Sequence, residues 1–102
     1  MLIGGEPRRP NLEQVRRIKA ALRSVLSLRE NATVTVTELA CIEDGCAPVE
    51  TVIGLLRPAV TQLQHKLPET TDAVDATDLA QVCAAWGFDV QPEVFEPLLS
   101  RD

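Results

Sequence analysis

The chain has 102 residues, of which 45% are apolar and 25% are charged, and its formal net charge is −5. A chain of this length and apolar content is predicted to form one small folded domain rather than a disordered segment. It contains no apolar run of about 18 residues and no long apolar stretch near residue 1, so neither a transmembrane helix nor a secretory signal is predicted. We therefore expect a cytoplasmic protein with no membrane partner.

The first ten residues are rich in Gly, Pro and Arg and are predicted to form a flexible basic arm, followed by a single domain over residues 11–102. Residues 1–29 carry seven basic and two acidic side chains, whereas residues 30–102 carry three basic and thirteen acidic ones. This asymmetry predicts either a docking surface or an internal match between a basic helix and an acidic body.

An amphipathic helix is predicted from about residue 11 to 28. Asn11 suits the N-cap position, and Gln14 stands where a capping box places Glu or Gln. Asn31 is expected to adopt the left-handed conformation after the helix. The apolar face is formed by Leu12, Val15, Ile18, Leu22, Val25 and Leu26. The basic side chains predicted to be exposed and to bind an acidic partner are Arg16, Arg17, Lys19 and Arg23.

Three strands are predicted over residues 33–39, 51–56 and 60–67, where β-branched and apolar residues alternate with polar ones or run together. The links between them are short, so the strands are expected to form an antiparallel meander with the second strand in the middle. A helix capped by Asp75 or Thr77 follows and ends near Trp86, and Pro92 opens a last short helix. The predicted fold class is α+β, with the N-terminal helix and one or two C-terminal helices packed on one face of a small three-stranded sheet.

The register of the sheet is predicted from the two turns. A turn at residues 57–59 that pairs Leu56 with Val60 places Thr51 opposite His65, and closing the first hairpin places Glu38 opposite Thr51. The only histidine, a glutamate and the turn with two cysteines are then expected to converge at one end of the sheet. The apolar residues of the same face are Val34, Val36, Ile53, Leu55, Leu63 and Leu67.

Cys41 and Cys46 are separated by four residues in the first turn, and with His65 they form a candidate metal site. Thiolates and an imidazole suit zinc, with iron as the alternative metal. The cysteines can instead pack as small apolar residues, form a disulfide, or act as a redox pair. Packing is the interpretation that we favour, because no second cysteine pair follows. Cys83 lies on an apolar helix face and is predicted to be a core thiol.

The segment Glu38-Leu39-x-Cys41-x4-Cys46-x-Pro48-x-Glu50-Thr51-Val52-Ile53 resembles a family of short, uncharacterised bacterial proteins. In that family a turn that contains cysteine is followed by Glu-Thr-Val-Ile. The resemblance covers 16 residues of the chain. It implies a bacterial origin and no particular activity.

Catalysis has little support, because the chain has one His, no Tyr, no Gly-rich phosphate loop and no G-x-S-x-G or H-E-x-x-H motif. The leading hypothesis is a small cytosolic accessory protein that binds another protein without catalysing a reaction. The alternatives are a metal-binding or metal-handling protein that uses the cysteine turn, and a nucleic-acid-binding protein that uses the basic helix. A homodimer is also expected, formed through the open sheet edge at residues 33–39 or through Val52, Leu56 and Val60 on the uncovered face.

Overall fold

The structure is a computed structural model that describes residues 5–7, 11–41 and 49–99. Its sheet has four antiparallel strands in chain order, which are β1 (Gly5–Pro7), β2 (Thr33–Cys41), β3 (Val49–Leu56) and β4 (Leu63–Leu67). The helices are α1 (Leu12–Val25), α2 (Ala76–Ala85) and α3 (Glu96–Leu99), and single 3₁₀ turns span Thr71–Ala73 and Pro92–Val94. The predicted α+β class, with an N-terminal helix, an antiparallel meander and C-terminal helices, is confirmed.

The first strand was not expected from the sequence. Gly5–Pro7 pairs with the end of β2, with Gly5 opposite Cys41 and Pro7 opposite Leu39. Three residues of the segment predicted as a flexible arm therefore belong to the sheet. Pro7 can occupy this strand because an edge strand has one side on which no ladder hydrogen bond is needed.

Helix α1 begins as predicted and ends earlier. The Asn11 side chain accepts hydrogen bonds from the amides of Glu13 and Gln14, at 3.0 and 3.3 Å. At the other end Ser27, not Asn31, takes the left-handed conformation, with φ 52°. The Leu28 amide then donates to the carbonyl of Arg23 at 3.0 Å, which is the pattern of a Schellman motif.

The apolar face of α1 is narrower than the sequence suggests. The buried residues of the helix are Gln14, Val15, Ile18, Ala21 and Leu22. Leu12, which was expected on that face, is 65% exposed. The side chain of Gln14 turns toward the body of the protein, where its amide donates to the carbonyl of Val74 at 3.3 Å.

The two hairpins differ in how well their register was predicted. In the first, Glu38 lies opposite Thr51 as expected. In the second, Thr51 lies opposite Leu67, and His65 lies opposite Ile53, so the predicted pairing of Thr51 with His65 is wrong by two residues. The cause is the connection: β4 begins at Leu63, so residues 57–62 form the loop in place of a three-residue turn.

A shift of two residues keeps every side chain on the same face, because the strand period is two. The predicted core face is therefore retained, with Ile53, Leu55 and Leu67 buried. These strand residues form one core with side chains from all three helices. The fully buried members include Ile18, Leu22, Ile53, Leu55, Leu79, Val82, Cys83 and Phe95.

Candidate interaction surface

The predicted metal site does not gather its three ligands in the described residues. Cys41 is the last residue of β2, Cys46 lies outside the described residues, and His65 lies in β4 opposite Ile53. Ile53 pairs with Val36, so His65 is five residues along the sheet from Cys41. With about 3.3 Å per residue and two strand spacings of about 4.8 Å, their backbones are roughly 19 Å apart. Zinc ligands lie at about 2.0–2.3 Å from the metal, so the register does not bring His65 to Cys41.

Within the described ranges, no group of three His, Cys, Asp or Glu side chains is suited to hold a metal ion. A zinc or iron site built on the cysteine turn stays a prediction, because Cys46 is not among those residues. Cys83 is buried, and burial raises the pKa of its thiol to about 11, as expected for a core cysteine.

The end of the sheet at which Glu38 faces Thr51, called the closed end below, is covered by the chain that follows β4. Glu38 is 5% exposed, and its carboxylate accepts a hydrogen bond from the amide of Thr71 at 2.7 Å. The Thr51 hydroxyl donates to the carbonyl of Glu69 at 2.7 Å. These bonds tie the segment after β4 to the two central strands, so Glu38 and Thr51, which were predicted to face each other, have a structural role.

The carboxyl group of Glu69 lies beside that of Asp78 at the start of α2. Burial, followed by the hydrogen bond with Asp78 and the charges of Asp78 and Asp75, together raise the pKa of Glu69 to about 7. Asp78 also accepts a hydrogen bond from the Asp75 amide, which completes the capping box of α2. The side chain of Glu69 therefore lies beside the first turn of that helix.

An acidic cleft of about 720 Å³ lies at the N-terminal end of α1. Its carboxylates are those of Asp72, Asp75 and Glu96, and the side chain of Gln14 forms part of its wall. Asp72 accepts a hydrogen bond from Asn11, and Asp75 accepts one from the amide of Asp78. Two of the three carboxylates thus take part in hydrogen bonds that hold the fold.

The basic face of α1 is less uniform than predicted. Arg16 is exposed and Lys19 is half-buried. Arg17 forms an ion pair with Glu13 at 3.1 Å, one turn away on the same helix. Arg16 and Lys19 are therefore the two side chains of the predicted surface that carry positive charge toward solvent without a described ion pair.

Arg23, the fourth residue of the predicted surface, has an internal role. Its guanidinium donates to the carbonyl oxygens of Ala32 and Arg29, at 2.7 and 2.9 Å. These bonds hold the loop between α1 and β2 against the last turn of the helix. Arg23 was expected to be exposed because its helical position is polar, but the loop that follows the helix folds back onto it.

A second cavity, called the arginine cleft below, lies at the opposite end of the sheet and has a volume of about 340 Å³. Its ionisable side chains are Arg29 and Arg57. The Nε atom of Arg57 is buried and has no hydrogen-bond partner in the described ranges, and its guanidinium carbon lies 6.0 Å from the centre of the Phe88 ring. The described lining residues are Leu26, Ser27, Leu28, Arg29, Asn31, Ala32, Arg57, Pro58 and Val60.

Sequence reasoning missed this cleft. Its two arginines belong to different connections, and the residues around Arg57 were interpreted only as a short turn. The signal that could have predicted it is the first hairpin: Thr33 pairs with Leu56, so the loop before β2 and the loop after β3 meet at one end of the sheet. Hairpin pairing therefore brings the residue before Thr33 close to the residue after Leu56.

No known protein family, curated protein or solved structure matches this chain. None of the helices in the described ranges is long and apolar enough to cross a membrane. The distribution of charge and the two cavities are then the features from which a function can be inferred.

Proposed function

We propose that this protein is a small, non-catalytic accessory protein of the bacterial cytoplasm that binds the acidic surface of another protein. The observation that carries the proposal is the separation of charge along α1. The acidic cleft lies at its N-terminal end and the arginine cleft at its C-terminal end. A helix of 14 residues spans about 21 Å, which exceeds the screening length of about 8 Å at physiological ionic strength.

The two ends therefore act on a partner as separate patches of opposite charge. The basic side chains open to a partner are Arg29 and Arg57 of the arginine cleft and, along α1 between the two ends, the exposed Arg16 and the half-buried Lys19; we call these four the positive patch. Complementary charge increases the rate of association and selects against partners of the wrong sign. An acidic protein surface is the partner that this patch favours.

The experiment uses a fluorescently labelled peptide of alternating glutamate and serine as the probe. Its affinity, measured by anisotropy, should fall about tenfold between low and high salt, because salt screens the attraction between the glutamates of the peptide and the basic side chains of the patch. Arg16→Glu should weaken binding severalfold. Lys66→Glu makes the same change of charge at an exposed position of β4, away from the patch, and should alter binding little. Affinity that is unchanged by salt and by Arg16→Glu would overturn the proposal.

We also propose that the protein forms a homodimer through the free edge of β2. β1 pairs only with the last three residues of β2, and no described strand lies beside Thr33 to Glu38 on that side. Residues 33–37 read Thr-Val-Thr-Val-Thr, which is palindromic about Thr35. Antiparallel pairing about a two-fold axis at Thr35 then sets Thr against Thr on one face and Val against Val on the other, as an isologous interface requires.

Light scattering over a range of concentrations tests the dimer. Thr35→Lys places two like charges opposite each other at the axis and should yield monomer. Gln64→Lys adds the same charge in the same cross-strand row, at the β4 edge, and should leave the dimer intact. A chain that is monomeric at every concentration, or a dimer lost only in Gln64→Lys, contradicts this interface.

A further inference from the structure

Part of the wall of the arginine cleft is apolar. It includes Leu26, Leu28 and Val60, and Val60 is 52% exposed. The volume of about 340 Å³ is near the lower end of the range of about 300–1,000 Å³ found for ligand pockets. The cleft is therefore large enough for one large apolar side chain and the residue next to it in a bound peptide.

The charge of the described lining of the cleft comes from arginine. Arg29 and Arg57 are its ionisable residues, and an arginine side chain stays protonated at every pH that a protein meets. Glu30 is exposed on the same loop but is not among the described lining residues. Two guanidinium groups in one cleft favour a ligand that carries an anionic group.

Arg57 is arranged to receive a planar anion. A buried donor without an acceptor is rare in folded proteins, and Nε of Arg57 has no acceptor among the described residues. Arg57 as a whole is half-buried and lines the cleft, so a ligand in the cleft can approach its side chain and supply an acceptor. Nε and the adjacent terminal nitrogen of an arginine bind the two oxygens of a carboxylate side by side. The Phe88 ring beside the guanidinium restricts its orientation.

The backbone beside Arg57 holds the mouth of the cleft in a fixed shape. Ala59 has φ 60°, a left-handed conformation that is unfavourable for alanine. It stands between Pro58 and Val60, and the Val60 amide donates to the carbonyl of Arg57 at 3.4 Å. Strained residues of this kind cluster where a loop is shaped for a ligand.

We propose that the arginine cleft is the anchor site for the protein partner and takes a peptide segment in which a large apolar side chain follows a glutamate or aspartate. The apolar side chain packs between Leu26, Leu28 and Val60. The carboxylate binds Arg57. This inference rests on the proposed function, since it names the part of the acidic partner that is recognised.

The test compares two labelled peptides of equal charge, one alternating glutamate with leucine and the other glutamate with serine. The leucine peptide should bind about tenfold more tightly, which corresponds to burial of one leucine side chain. Arg57→Lys keeps the charge and removes the planar fork, so it should weaken the binding of both peptides severalfold, because both carry the carboxylate. Val60→Ser should abolish most of the leucine preference by removing an apolar wall. Arg17→Lys, at a residue that pairs with Glu13 outside the cleft, is the matched control and should change neither the affinity nor the preference. The amide spectra of all variants should show an unchanged fold.

The outcomes separate the two proposals. If both peptides bind with equal affinity and Arg57→Lys has no effect, the acidic partner stands and the anchor site is overturned. If neither peptide binds to the unaltered protein, the proposed function fails and the anchor site fails with it. If the leucine preference is lost in Val60→Ser but Arg57→Lys leaves the affinity of both peptides unchanged, the carboxylate contact is overturned.

Discussion

The two ends of the sheet are each stabilised by a different kind of hydrogen bond. At the closed end, the bond from the Thr71 amide to Glu38 joins residues 33 positions apart, and the bond from Gln14 to Val74 joins residues 60 positions apart. At the end with the arginine cleft, the bonds from Arg23 join residues six and nine positions apart. Long-range bonds fix how distant segments pack, whereas short-range bonds shape one loop. Substitutions at the closed end should therefore affect stability most, and those in the arginine cleft should affect binding most.

The largest effect is expected from Glu38→Ala. The Thr71 amide would lose its acceptor in a buried site, and an unsatisfied buried donor costs about 1–3 kcal/mol. Because this acceptor is charged, we expect a loss near the upper part of that range in the free energy of unfolding, measured with urea. Gln64→Ala, at an exposed position of β4 outside the proposed dimer interface, is the control. A loss at Glu38 no larger than that at Gln64 would remove the distinction between the two ends.

A smaller effect is expected from Arg23→Gln. It removes two hydrogen bonds to carbonyl oxygens of the loop, each worth about 0.5–1.5 kcal/mol. Arg16→Gln changes the same kind of side chain on an exposed part of the same helix and should stay within about 0.5 kcal/mol. The comparison is made by thermal and urea unfolding of both variants. Equal stability of the two would mean that the loop does not depend on Arg23.

The smallest effect is expected in the pH dependence of stability through Glu69, because this side chain is only half-buried and solvent screens its interactions. Its folded-state pKa of about 7 lies above the ordinary 4.5, so the folded protein keeps a proton that the unfolded chain releases. The contribution of Glu69 to the free energy of unfolding is therefore fully present below pH 4.5 and is lost as the pH rises toward 7. Glu69→Gln should flatten that decline, while Glu93→Gln at an exposed position should not. Parallel curves for Glu69→Gln and the unaltered protein would contradict the shift.

Local features of the sequence were sufficient for much of the fold. Asn11 and Asp75 cap their helices as predicted, because a cap depends on residues within one turn. Glu38 and Thr51 are paired as predicted, because the first hairpin keeps its register. The buried face of the sheet was also predicted, because side chains alternate with period two and an error of two residues leaves the face unchanged.

The contacts that the sequence did not predict depend on the path of the long loops, which only the tertiary structure reveals. The loop of residues 57–62 moved His65 away from Thr51, and the loop after α1 folded back onto Arg23. Spacing along the chain does not reveal such contacts, since they depend on the path of segments without a periodic pattern. The arginine cleft is the clearest case. Arg29 and Arg57 are distant in sequence and come together because β2 begins where β3 ends, so strand pairing brings their two loops to the same end of the sheet.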